Sequence, residues 1–196
     1  ENYFMKKKII FLDFDGVINT LFFDEEGQLH YGARNGEKVN NFQAINWLNM
    51  LNTEIPFDIV ITSTWRIGKS RKDLADILYN SGLSRDIQVV GKTPSYNRYI
   101  NTDYSFYLFG HYFSRNTRRG REIDLFIKQL IYFDKELYNK YDFKDFIILD
   151  DDNDMWKYKK NLIKCTDAGF TINEYGKCVR RWNKSERKGL FFRFKK

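Results

Sequence analysis

The sequence predicts an α/β fold, a parallel sheet with helices on both faces. Three observations predict it. Short, unbroken apolar runs such as FDIVIT (57–62) and DFIILD (145–150) read as buried strands. Segments with apolar residues at helical spacing alternate with these runs, and strand–helix alternation builds a parallel sheet. The 196 residues, 18% of them aromatic and only two of them proline, suit one domain with a sizeable core rather than disorder.

Each element has its own signal. Residues 6–14 form the first apolar run. NFQAINWLNML (41–51) sets Phe42, Ile45, Leu48 and Leu51 on one side of a helix. FDIVIT is the second strand. SRKDLADILYNSG (70–82) carries a helix start at Ser70 and Asp73 and a stop at Gly82. DIQVVG (86–91) is the third strand. GREIDLFIKQLIYF (120–133) repeats Ile123, Phe126, Ile127 and Leu130 at helical spacing. DFIILD is the fourth strand and LIKCT (162–166) a short fifth. Two connectors, 16–40 and 92–118, interrupt the alternation, and loops of that length are functional or carry small elements of their own.

Composition excludes several classes. No apolar run reaches the roughly 18 residues of a membrane span, so no membrane partner is expected. The start MKKKIIFL resembles a signal peptide until Asp13 and Asp15 cut it short, with no small-residue cleavage site after them. Residues 1–4, ENYF, read as the remnant of a protease-cleavable tag. Cys165 and Cys178 are too few for a disulfide framework or a zinc site, which points to a reducing cytoplasm. The net charge of +7 is concentrated in Arg180–Lys196, where eight Lys or Arg stand against one Glu. Such a tail attracts phosphate-rich partners or simply aids solubility, and the second reading is preferred. The expected division is therefore a single domain over 5–179 and a basic tail over 180–196.

The chemistry starts at FLDFDGV (11–17). Residues two apart on a strand share a face, so Asp13 and Asp15 point the same way while the chain stays extended. Two adjacent carboxylates repel, and a cation between them removes that cost. Oxygen ligands without Cys or His suit a hard ion such as magnesium. A strand-end turn is the plain alternative. Ligands of open parallel sheets bind beyond the carboxyl ends of the strands. There the second strand supplies Thr62, Ser63 and Thr64, then Trp65 and Arg66. The fourth supplies Asp150, Asp151, Asp152 and Asp154, and Arg118, Arg119 and Arg121 lie before the third helix. Acids, hydroxyls and cations in that arrangement suit magnesium-dependent phosphoryl transfer.

In this order the motifs resemble those of the haloacid dehalogenase (HAD) superfamily of phosphatases, over most of residues 6–171. The resemblance implies a Rossmann-like sheet. In DFDGV it implies that Asp13 is the nucleophile, taking the phosphoryl group as an aspartyl phosphate. Asp15 would be the general acid/base, its backbone carbonyl a metal ligand. Gly16 and Ser63 would serve substrate binding. IVITS resembles the second motif, with Thr62 the better fit and Ser63 the alternative. The third motif normally supplies a Lys. RRGREI offers Arg119 instead, with Arg118 and Arg121 as neighbours. ILDDDND resembles the acidic fourth motif, Asp150 and Asp151 being the metal acids and Asp154 supporting. Asp15, where the family's ATPase pumps carry Thr, implies a phosphatase. TSTWR, RGREI, ILDDDND and TDAGFT together resemble small HAD domains grouped with nucleic-acid repair proteins.

The expected function is magnesium-dependent phosphomonoester hydrolysis. The expected partners are a phosphorylated small molecule or nucleotide, with nucleic acid also possible. The alternatives are polynucleotide end processing and a non-catalytic nucleic-acid-binding module. Trp65 and Arg66 read as bracing residues, and His30 and His111 as structural or surface ones. The aromatic and basic segment 94–116 reads first as a small packed flap and second as a base-stacking surface. It leaves no room for a large cap.

Overall fold

The computed structural model describes residues 6–23, 29–31, 39–95 and 118–193. Within them, β1 (Lys8–Leu12), β4 (Phe57–Ile61), β5 (Val89–Lys92), β6 (Ile147–Asp150) and β7 (Leu162–Lys164) form one five-stranded sheet in the order β5-β4-β1-β6-β7. Every pairing in it is parallel. The helices are α1 (Phe42–Glu54), α2 (Arg71–Asn80), α3 (Arg118–Phe133), α4 (Lys135–Lys140) and α5 (Ile172–Arg193).

The period of the strands divides the core in two. Ile10 and Leu12 of β1 point to one face, where they meet α1, α2, Cys178 and Trp182. Ile9 and Phe11 point to the other and meet Ile123, Phe126 and Ile127 of α3. Phe11 packs edge-on against Phe126 and Phe146, at 6.0 and 4.9 Å between ring centroids. Removing such a side chain from water contributes on the order of 1.5–3 kcal/mol. Helices therefore cover both faces, as the alternating runs predict. Helix α2 opens with the reciprocal Ser70–Asp73 capping box that its sequence signals.

One long connector carries a small element, as its length suggests, and two further features depart from the sequence reading. The connector 16–40 holds a small antiparallel hairpin, β2 (Leu21–Phe23) with β3 (Leu29–Tyr31), which places His30 opposite Phe22. The short helix α4 follows α3 directly. Helix α5 runs without a break through residue 180, where the charge run suggests the start of a tail. Its apolar residues Tyr175, Cys178, Val179 and Trp182 recur at helical spacing, and Cys178 and Trp182 are fully buried. The charges surround that stripe and conceal it. Residues 1–4, His111 and most of the 94–116 segment lie outside the described residues. Among the described residues no cap domain interrupts the sheet.

Candidate active site

The carboxyl ends of β1, β4 and β6 are adjacent, and the residues that leave them converge. β1 ends at Leu12 and the chain then turns, with Gly16 at φ +73°. The reading that Asp13 and Asp15 share a face applied to an extended chain, and β1 ends before both. The two side chains have separate surroundings. Asp13 is buried, with Oδ1 accepting from the Phe14 N–H at 2.8 Å and Oδ2 3.1 Å from Arg119 Nη2. Asp15 accepts from Asn19 Nδ2 at 2.8 Å and from Trp65 Nε1 at 3.1 and 3.0 Å. The acids that meet are Asp13, Asp150 and Asp151, each offering an oxygen within 4.8 Å of the others. The Asp15 carboxylate is outside that group.

Gly16 lets the two acidic loops touch. A Cβ built there would stand 2.3 Å from Asp151 Oδ2, so any side chain would push Asp151 away. The Gly16 N–H donates to the Asn19 carbonyl at 2.7 Å, so what Gly16 offers the site is room. Gly120 has the same use at the start of α3, where a Cβ would stand 2.2 Å from the Met155 carbonyl oxygen. That close approach brings the start of α3 onto the acidic loop. The Arg119 N–H then donates to Asp154 Oδ2 at 3.0 Å.

Of the three neighbouring arginines, Arg119 is the one that reaches the acids. Besides Asp13, its Nε lies 3.4 Å from Asp150 Oδ2, and its Nη1 donates to the Thr62 carbonyl. Attraction to Asp13 and Asp150 outweighs desolvation and raises its pKa. Arg118 instead approaches Glu122 at 3.6 Å, and Arg121 lies over the Trp156 ring at 4.3 Å. Asp150 is fully buried. Burial first, and the Asp13 charge second, push its carboxyl up to about 8 despite Arg119. Burial also raises Asp151 and Asp154.

Thr62 and Ser63 are fully buried at the end of β4, and the Thr62 hydroxyl has no hydrogen-bond partner among the described residues. Ser63 Oγ accepts from the Trp65 N–H at 3.3 Å and opens the 3-10 turn Thr64–Arg66. Arg66 clamps this turn. Its guanidinium donates to the carbonyls of Thr62, Ser63, Thr93 and Pro94 and to Glu122 Oε2 at 2.6 Å. The bracing role read for Trp65 and Arg66 thus has a physical form. Asn19 and Glu122 were not read from the sequence: Asn19 meets Asp15 within one turn, and Glu122 meets Arg66 from a distant element. A cleft of about 270 Å³ opens beside the acids, lined by Thr64, Arg66, Ile67, Arg118, Arg119 and Asp154 among others.

Two outcomes follow from this geometry. Arg66→Ala should cost about 3–5 kcal/mol in denaturant unfolding, because it leaves the Glu122 charge without its shortest partner in a buried place. A loss under about 1 kcal/mol would contradict the clamp. The second concerns pH. With its pKa raised on folding, Asp150 holds a proton in the native state that the unfolded chain releases near pH 4. Metal-free stability contributed by this group is therefore fully present below about pH 4 and is lost as pH rises towards about 8. Asp150→Asn should gain on the wild type over that window, measured by unfolding at pH 5 and pH 8 with chelator. A difference that stays constant, or moves the other way, would contradict the assignment.

The model of the family described as the HAD domain in Swiss Army Knife RNA repair proteins matches residues 9–174. No curated protein and no solved structure matches the chain.

Proposed function

We propose that this chain, which belongs to the family of HAD domains in Swiss Army Knife RNA repair proteins, is a magnesium-dependent phosphomonoester hydrolase working through an aspartyl phosphate on Asp13. The observation that carries this reading is the company of Asp13. A buried carboxylate faces a guanidinium and two further carboxylates, and a buried hydroxyl without a partner stands on the adjoining strand end.

The donor set fits magnesium. Asp13, Asp150 and Asp151 offer clustered hard oxygens, and Asp150 Oδ2 is buried without a hydrogen-bond donor. These three would hold the ion, with the Asp15 carbonyl as a fourth ligand. The bound ion would neutralise carboxylate and phosphate charge. The chain's own groups divide the remaining work. The Asp13 carboxylate attacks phosphorus, and the bond to the leaving oxygen breaks as Asp15 gives that oxygen a proton. Water then attacks phosphorus and passes its proton to Asp15, and the Asp13–phosphorus bond breaks. The Thr62 hydroxyl, with Ser63 beside it, donates to phosphoryl oxygens, and Arg119 offsets the charge that gathers on them.

The test is phosphate release from an aryl phosphate. Activity should vanish with chelator and return with magnesium, and no activity at any magnesium concentration would remove the hydrolase reading. The second reading, hydrolysis at polynucleotide ends, is favoured by the RNA-repair description of the family and by the cleft beside the acids. End-phosphorylated oligonucleotides in the same assay distinguish it from action on small molecules. Binding of oligonucleotides without turnover would favour a non-catalytic module.

A further inference from the structure

Trp65 makes a contact for which packing alone gives no reason. Its indole N–H, a donor only, lies 3.1 and 3.0 Å from the two oxygens of Asp15. Sharing one N–H between both oxygens requires both to accept. Asn19 Nδ2 adds a second neutral donor at 2.8 Å. Among the described residues, no ion pair competes for Asp15.

The indole is itself held in place. Its ring packs on the buried Phe14 ring at 5.3 Å between centroids, and the Lys69 ammonium stands 5.8 Å from the ring centroid. Its backbone N–H is bound by Ser63 Oγ, in the turn clamped by Arg66. The same short turn thus orders the Thr62–Ser63 hydroxyls and the donor to Asp15.

We propose that Trp65 is a positioning residue that holds the Asp15 side chain where it receives the proton of the hydrolytic water. The inference rests on the hydrolase reading above and deepens it. In the step concerned, the water oxygen bonds to phosphorus, its proton moves to Asp15, and the electron pair of the Asp13–phosphorus bond returns to the Asp13 carboxylate. Asp15 is left protonated, ready for the next leaving oxygen. With an aryl phosphate the leaving phenolate needs little of the Asp15 proton, whereas the attacking water must give one up, so Trp65 matters more to breakdown of the aspartyl phosphate than to its formation.

Trp65→Phe keeps a ring against Phe14 and removes the N–H. Rapid-quench measurement with an aryl phosphate and magnesium gives the two rates separately. Breakdown should fall about 10-fold or more, the usual effect of losing a hydrogen bond to a charged group, and formation should fall less. In an Asp15→Asn background the same change should alter breakdown by less than about 2-fold, since residues acting through one another are not additive. Equal slowing of both steps, or a full further loss in that background, overturns the role of Trp65. A wild-type chain without turnover instead overturns the hydrolase reading. The contact has its own readout. The Trp65 indole N–H resonance, identified by its absence in Trp65→Phe, should shift in Asp15→Ala, and a resonance that stays in place overturns the contact.

Discussion

Asp13→Asn should yield a folded protein with no measurable hydrolysis. A carboxamide matches the carboxylate in shape and is not a nucleophile towards phosphorus, so the covalent step has no replacement. The fold should persist for stated reasons. The Asn oxygen can still accept from the Phe14 N–H, and Arg119 keeps Asp150 and the Thr62 carbonyl. Removing one of three clustered carboxylates also removes repulsion, which offsets the lost ion pair. The metal-free variant should thus unfold at or near the wild-type midpoint. Circular dichroism reports the fold and phosphate release the activity. Normal turnover by a folded variant would remove the aspartyl-phosphate mechanism.

Asp15→Asn should cost about 10²–10⁴ in kcat, the usual range for a positioned acid or base. Its surroundings make the reading clean. The Asn oxygen can still accept from Asn19 and Trp65 at the place of Asp15 Oδ1, and only the second contact of the indole is lost with the proton. The deficit should grow as the leaving group becomes more basic, because an alkoxide needs the proton more than a phenolate does. Rates across a series of phosphate esters test this. A deficit independent of the leaving group would sink the acid role and leave only the base role.

Much of the fold and the site was legible in the sequence, for physical reasons that also mark the limits. Buried parallel strands are apolar on both faces, so FDIVIT and DFIILD stand out without reference to anything distant. Strand-end chemistry follows from the sheet, which is why the acids of β1 and β6 could be paired. The different partners of Asp13 and Asp15 were not foreseen, because β1 stops at Leu12, a boundary that no residue type announces. The choice of Arg119 over its neighbours depends on the helical phase at the start of α3, set by the contact of Gly120 with Met155. Arg66 and Glu122 lie 56 residues apart, and no local pattern links them. Helix α5 was hidden by its own charges.

That helix also fixes which way the molecule faces. It begins beside the turn where the Phe170 N–H meets the Val17 carbonyl, close to the acids. It then descends to Trp182, which touches Phe57 and the Asp145 carbonyl at the starts of β4 and β6. A five-residue strand spans about 16 Å, and residues 183–193 add about 16 Å of helix beyond it. The end of α5 therefore stands roughly 30 Å from the carboxylates, at the opposite pole. A bead, sensor surface or fused protein attached there would leave the mouth of the site turned outward, and a long polyanion gripped at that pole would have to wrap the flank of the sheet before its end reached Asp13.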